Sequence, residues 1–235
     1  MTHALVLSGG SGIRLGSIIP KQYMEVNGRC VISYCLDTLL CSEYIDTIRI
    51  VACRQWHGVI TDCLKKYDAT GKFRGFSKPG ENRQLSIFYG LNDIMEYADV
   101  SDMVFIHDAA RPMLSESMIK SCVSAIKGHD GTLPILAMKD AVYLSEDGKA
   151  VSSLLDRGKV YAGQAPEVFL LGKYYEANKV LLPEKILEIN GSTEPAVMAG
   201  MDIAMIPGDE KNFKITTTAD LERFREIVQK GGYMI

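Results

Sequence analysis

Several features that would assign this 235-residue chain to a common class are missing. Its six cysteines (Cys30, Cys35, Cys41, Cys53, Cys63, Cys122) include no C-x-x-C pair and fall mostly in apolar segments, so they are expected to be reduced core thiols. Met1-Thr2-His3-Ala4 leads straight into a strand pattern, without the basic segment and long apolar stretch of a signal peptide. No later run approaches the length of a membrane span, and the expected location is the cytoplasm. The formal net charge of -3 gives no global pull toward nucleic acid or an anionic membrane. Any phosphate binding must therefore come from a local cluster, for which Arg14, Lys21, Arg83, Arg111 and Lys214 are the candidates. Low-complexity segments, linkers and internal repeats are also missing. With 47% hydrophobic and 23% charged residues the chain has the composition of a folded globular protein, expected to form one domain over 1–235.

The chain is organised around Ala4 to Tyr23, ALVLSGGSGIRLGSIIPKQY. A short apolar run ends in Ser8-Gly9-Gly10-Ser11-Gly12, a strand emptying into a glycine-rich loop. Glycine lacks Cβ, so such a loop takes positive φ and brings backbone N–H groups close to an oxyanion. Arg14 and Lys21 add two positive charges, a combination that suits a triphosphate. Two familiar glycine motifs do not account for it. The phosphate loop of nucleoside triphosphatases needs a Gly-Lys-Ser/Thr ending, which is absent. The dinucleotide fingerprint finds Leu15 where its third glycine belongs, which weakens that reading without eliminating it. A plain tight turn accounts for the glycines but not for the two cations.

Downstream, apolar spacing predicts helices over 31–40, 59–67, 83–97 and 116–126, alternating with strands over 45–52, 73–76 and 103–106. This β-α-β-α alternation implies an α/β fold, Rossmann-like, around a mainly parallel sheet with both faces covered. Ligands bind such sheets at the carboxyl ends of the strands, where the glycine loop, the Pro79–Asn82 loop and the His107–Pro112 loop should meet. From Thr132 the pattern changes to strands over 132–138, 141–144 and 150–155, with Glu146-Asp147-Gly148 as a hairpin turn in a projecting arm of about 141–160. A helix over 174–182 and strands over 202–206 and 212–216 follow. Thr217 or Thr218 then caps a closing helix through Val228.

Asp108 ends an apolar strand, where a carboxylate either reaches a Mg²⁺ ion in the crevice or simply caps the turn. Arg83 and Ser86 open a helix whose N-terminus suits a nucleotide's phosphate or base edge; an exposed first-turn arginine is the plainer alternative. Lys214 should point away from its apolar neighbours Phe213 and Ile215. His107 is expected to be a structural neighbour, not a base.

Five ordered motifs then carry a resemblance over almost the full length: GGSGIRLG with PKQY, GENRQLS, HDAARP, the Asp156-Arg157 pair, and FKITT followed by Ala219-Asp220-Leu221. In these the chain resembles the family of 2-C-methyl-D-erythritol 4-phosphate cytidylyltransferase and its polyol-phosphate relatives such as ribitol 5-phosphate cytidylyltransferase. By position the resemblance implies that Arg14, Lys21, Arg157 and Lys214 are catalytic. It implies that Ser8, Gly9, Gly10, Gly12, Gly80, Glu81, Arg83, Ser86, Asp108 and Ala109 bind the nucleotide, with Asp108 on the metal. Arg111, Arg157 and Lys214 would hold the second substrate's phosphate. CTP and Mg²⁺, a polyol phosphate acceptor and a homodimer joined through the arm are implied likewise, and nucleic acid and membrane are not.

The departures from the erythritol-phosphate enzymes cluster on the acceptor side. Asp140-Ala141 stands for their Asp-Thr, Ala165-Pro166-Glu167 for Thr-Pro-Gln, and Asn190-Gly191, with Glu194 nearby, for Thr-Asp. The expected activity is CMP transfer from CTP to a polyol phosphate, with a pentitol phosphate favoured over 2-C-methyl-D-erythritol 4-phosphate. A nucleotide-binding regulator without turnover is the answer from another class, and the presence of every expected charged residue argues against it.

Overall fold

The structure is a computed structural model that describes residues 1–10, 19–65 and 70–232. In chain order its strands are β1 (Thr2–Leu7), β2 (Glu25–Val26), β3 (Arg29–Cys30), β4 (Thr47–Val51), β5 (Phe73–Ser77), β6 (Met103–Asp108), β7 (Gly131–Ala137), β8 (Val142–Leu144), β9 (Ser153–Leu155), β10 (Tyr161–Gly163), β11 (Glu167–Leu170) and β12 (Ile203–Pro207). Its helices are α1 (Val31–Cys41), α2 (His57–Leu64), α3 (Arg83–Met95), α4 (Glu116–Ala125), α5 (Leu171–Lys179), α6 (Lys185–Glu188), α7 (Glu194–Met198) and α8 (Thr218–Gln229).

One eight-stranded sheet runs β10-β7-β11-β6-β1-β4-β5, with β12 added on β7. The β1–β4, β1–β6, β4–β5 and β7–β12 pairs are parallel, as the alternating pattern requires. Successive β1 side chains serve opposite faces. Leu5 packs with Val104, Ile106, Ile87 and Leu91 of α3, whereas Ala4 and Val6 pack with Ile48, Ile50, Phe105 and Leu36 of α1. Both faces are dry, which is why Ala4–Leu7 of β1 and Met103–Ile106 of β6 are apolar without polar alternation.

Three expectations are corrected. The sequence reading contains no strand between the arm and the helix over 174–182, yet β11 lies there, antiparallel to both β6 and β7. Residues 212–216 form no strand; the ladder is reduced to one bond, Ile215 N–H to the Ala110 carbonyl at 2.8 Å. Of the cysteines, all free, only Cys35 and Cys122 are buried, while Cys41 is exposed. The last residues of the helix expected over 59–67 lie outside the described residues. The hairpin is present: β8 pairs with β9, and Asp147 Oδ1 accepts from Lys149 N and Ala150 N beside Gly148 at φ 70°.

Thr217 caps α8 in a capping box with Asp220, whose carboxylate also accepts from Thr216 N and Thr216 Oγ1 at 2.8 Å. The box ties down the run that carries Lys214. Burial alone raises the Asp220 pKa, but these donors hold it down at about 2. A depressed carboxylate contributes stability above its unfolded pKa and loses it as pH falls toward the folded one. Asp220→Asn is thus expected to cost about 1 kcal/mol at neutral pH, with the difference closing between about pH 4 and pH 2. Urea titrations across that window would show it, and a pH-independent difference would contradict the assignment.

Candidate active site

The three loops expected at one edge do meet there. Leu7 and Asp108 are register partners, so β1 and β6 end together. Gly9 lies so close to Pro79 that an added Cβ would sit 2.6 Å from the proline Cβ, which seats the glycine loop on the Pro79–Asn82 loop. Gly80 is equally confined, at 2.7 Å from Leu85. Asn82 caps α3 through Leu85 N and aims the first turn of that helix at the end of β6.

At this junction Asp108 is buried and collects three cations. Arg83 Nε donates to its Oδ1 at 3.1 Å, Lys214 Nζ approaches its Oδ2 at 2.8 Å, and Arg111 Nε stands 3.8 Å from Oδ2. Burial raises a carboxyl pKa, but here the charges of Arg83, Lys214 and Arg111 override it and hold Asp108 far below the usual range. Lys214 therefore turns toward the crevice, as its position opposite Phe213 and Ile215 requires. His107, buried behind with Nε2 on the Arg111 carbonyl, is pushed down to about 4, mainly by burial, and is neutral at pH 7. It supports the arginine's backbone.

Other expected residues are spent differently. Ser8 is buried, its hydroxyl donating to Tyr23 Oη at 2.8 Å, and Ala109 is buried with its N–H on the Leu7 carbonyl. Ser86 Oγ accepts from Gly80 N and donates to the Asn82 carbonyl, bracing the loop. Glu81 and Gly10 are exposed at the edge, and Lys21 is half-buried on the turn Lys21–Tyr23. Arg157 is exposed on the arm, where it donates to the Lys139 carbonyl; it is not brought to the Asp108 cluster. Arg14 and Gly12 lie outside the described residues.

One site group went unread beforehand. Glu167, at the start of β11, is buried 3.8 Å from Arg83 Nη2, and Ser192 Oγ donates to it at 2.5 Å. Burial pushes its pKa up, against the pull of Arg83 and Ser192. Tyr174 Oη donates to the Ser192 carbonyl at 2.6 Å, and Gln84 links Tyr174 to Asn178, so a buried polar chain runs from α5 to the crevice. The change from glutamine to glutamate noted in the sequence was the available signal. Gln164, beside Ala165, is committed elsewhere: its amide donates to the Asp209 carbonyl and accepts from Asp209 N.

Removing the Asp108 charge would leave Arg83, Arg111 and Lys214 without their shared counter-charge, with only Glu167 beside Arg83. Asp108→Asn is expected to cost on the order of 2–3 kcal/mol, below the fully buried range because Arg83 and Lys214 are 32% and 35% exposed. Inorganic phosphate or pyrophosphate should restore part of the lost melting temperature in the variant and raise it less in the parent. Equal anion responses would refute the cluster's role.

Residues 2–230 match the family described as IspD: 2-C-methyl-D-erythritol 4-phosphate cytidylyltransferase. The chain is 26% identical over 228 residues to a ribitol-5-phosphate cytidylyltransferase of Streptococcus agalactiae, covering 97% of this chain and 95% of that one. It is 30% identical to a 2-C-methyl-D-erythritol 4-phosphate cytidylyltransferase of Clostridium beijerinckii, covering 94% and 95%. Among solved structures, 4-diphosphocytidyl-2C-methyl-D-erythritol synthase of Anaerococcus prevotii superposes with a TM-score of 0.82 at 27% identity, over 97% of this chain and 96% of that one. With the mainly parallel sheet, its loops gathered at one edge and a full-length match at 30% identity, the chain belongs to the IspD family of cytidylyltransferases.

Proposed function

We propose that this protein transfers CMP from CTP to a pentitol phosphate such as ribitol or arabinitol phosphate. An oxygen of the acceptor phosphate attacks the α-phosphorus of CTP, the bond to the β-phosphate oxygen breaks, and pyrophosphate leaves. A phosphate monoester is already a dianion near neutral pH, its second pKa being about 6, so no general base is required. Catalysis then rests on in-line positioning and on neutralising charge at the α-phosphate and the departing pyrophosphate, the work assigned to Arg14 and Lys21. The glycine loop, Gly80, Glu81 and the start of α3 would hold the nucleotide, with Arg111, Arg157 and Lys214 on the acceptor phosphate.

The observation that carries the choice of acceptor is the acceptor side itself. Ala141 and Ala165 lack hydroxyls, and both amide hydrogens of the neighbouring Gln164 are taken, by the Asp209 and Asn212 carbonyls. A hydrogen bond to a charged partner is worth roughly 1.5–3 kcal/mol, so a pocket for methylerythritol phosphate would lose about 10²-fold or more in affinity. Relatives bearing both names leave methylerythritol phosphate as the second reading.

Mg²⁺ would enter with the triphosphate. Asp108 supplies one hard carboxylate at the end of β6, and phosphate oxygens and water would complete the ion's shell. The ion would screen the triphosphate's charge, and Asp108 would have to release Lys214 to ligate it. We read the chain as one domain over 1–235, built on the eight-stranded sheet with the β2–β3 and β8–β9 pairs beside it. We read the arm as a dimer contact because Tyr143, Leu144, Val151 and Leu154 stand exposed on it, which would put Arg157 at a neighbour's site. We place the protein in the cytoplasm, as its sequence leads one to expect; among the described residues no helix is long and apolar enough to cross a membrane.

Pyrophosphate release with CTP and Mg²⁺ should give a kcat/KM for ribitol or arabinitol phosphate above that for methylerythritol phosphate; the reverse order would overturn the acceptor assignment. Lys21→Ala is expected to lower kcat by about 10², and an unaltered kcat would remove Lys21 from the mechanism.

A further inference from the structure

The described part of the glycine loop is held from within by two side chains that have no role so far. Gln22 Nε2 donates to the Ser8 carbonyl at 2.9 Å and to the Gly10 carbonyl at 2.8 Å, which uses both amide hydrogens. Tyr23 Oη donates to the same Ser8 carbonyl at 2.9 Å while accepting from Ser8 Oγ at 2.8 Å. The Tyr23 ring is itself fixed, stacked on Trp56 with centroids 4.3 Å apart and 16° between planes. Gln22 and Tyr23 are only 3% and 4% exposed, too deep to touch a substrate.

We propose that Gln22 and Tyr23 are positioning residues for the triphosphate, locking the Ser8 and Gly10 carbonyls away from the crevice so that they do not oppose the anion and the Gly9 N–H that follows Ser8 can face it. The proposal rests on the nucleotide reading of the loop given above. In a planar trans peptide the carbonyl and the N–H point in opposite directions, so anchoring a carbonyl orients the following N–H. Glycine peptides rotate at little steric cost, and a rotated one presents its carbonyl dipole to phosphate. Between Ser8 and Gly10 the sequence offers two glycines and no bulky side chain to prevent that rotation; the donors on the Lys21–Tyr23 turn prevent it. Because Lys21 belongs to the same turn, the anchoring also fixes where its backbone stands relative to the loop.

The test uses Gln22→Met, which keeps length and volume but donates nothing, Gln22→Glu, which turns a carboxylate on the two carbonyls, and Tyr23→Phe, which keeps the Trp56 stack. Gln22→Met should raise KM for CTP about tenfold, with KM for the acceptor phosphate within about twofold of the parent. Gln22→Glu should raise it more, and Tyr23→Phe about threefold. Calorimetric CTP affinity should follow the same order. A packing role would tolerate Gln22→Met as well as the parent residue or shift both KM values together, and either result overturns the proposal. If the parent protein itself binds no CTP, the nucleotide reading of the loop falls as well. If the parent binds and Gln22→Met binds as tightly, only the positioning role falls. Should Gln22→Met fail to fold, Tyr23→Phe carries the comparison, and an unchanged KM for CTP in that variant overturns the proposal.

Discussion

The carboxylate of Asp108 is the interaction on which the crevice depends. Three cations reach it from separate segments: Arg83 from the first turn of α3, Arg111 from the loop after β6, and Lys214 from the run before α8. Like charges so close, partly out of water, would repel without a counter-charge, and Asp108 supplies one from within the fold. Glu167 adds a second acidic group, 3.8 Å from Arg83. An arriving phosphate therefore replaces an internal anion and exchanges partners without facing bare cations. The crevice stays organised while empty, and what it gives up is part of the gross attraction for its ligand.

The acceptor side shows how substitutions can compensate one another. Glu167 and Ser192 occupy two stretches that depart from the erythritol-phosphate pattern, and they bond directly to each other. A buried glutamate needs a donor, which Ser192 provides; Ser192 is held in turn through its carbonyl by Tyr174. Glu194 accepts from Asn190 N and Gly191 N, so the stretch that carries Ser192 is closed by its own residues. These positions form one connected unit, and a substrate preference written there would depend on all of it.

Much of this was legible in the sequence where the signal is periodic or local. The apolar runs of β1 and β6, the helical spacing of α1 and α3, the Glu146-Asp147-Gly148 turn and the cap at Thr217 all appear where expected. The Asn27-Gly28 pair, at φ 50° and 70°, is an equally local signal, and it joins β2 to β3. What was not legible is long-range. Glu167-Val168-Phe169-Leu170 is too short to declare itself a strand, and only its pairing with β6 and β7 makes it one. Residues 212–216 carry strand-forming side chains, yet Asn212 bonds to the Ala165 carbonyl through its side chain and Ile215 N–H makes its backbone bond to Ala110. The motifs identified which residues matter around Asp108, but not that Ser86 and Ser8 turn inward to brace loops.

The placement of β11 has a consequence for how the chain is made. β6 and β7 have no ladder with each other; each pairs with β11 between them, and β11 follows the whole arm in sequence. As the polypeptide emerges from the ribosome, the centre of the sheet has to wait, with two apolar strand edges open, until some thirty residues beyond β7 have been synthesised. Open edges of that kind invite pairing with other chains. The nascent protein is therefore most exposed to aggregation just before its last central strand arrives, and a pause in translation within the arm would lengthen that interval.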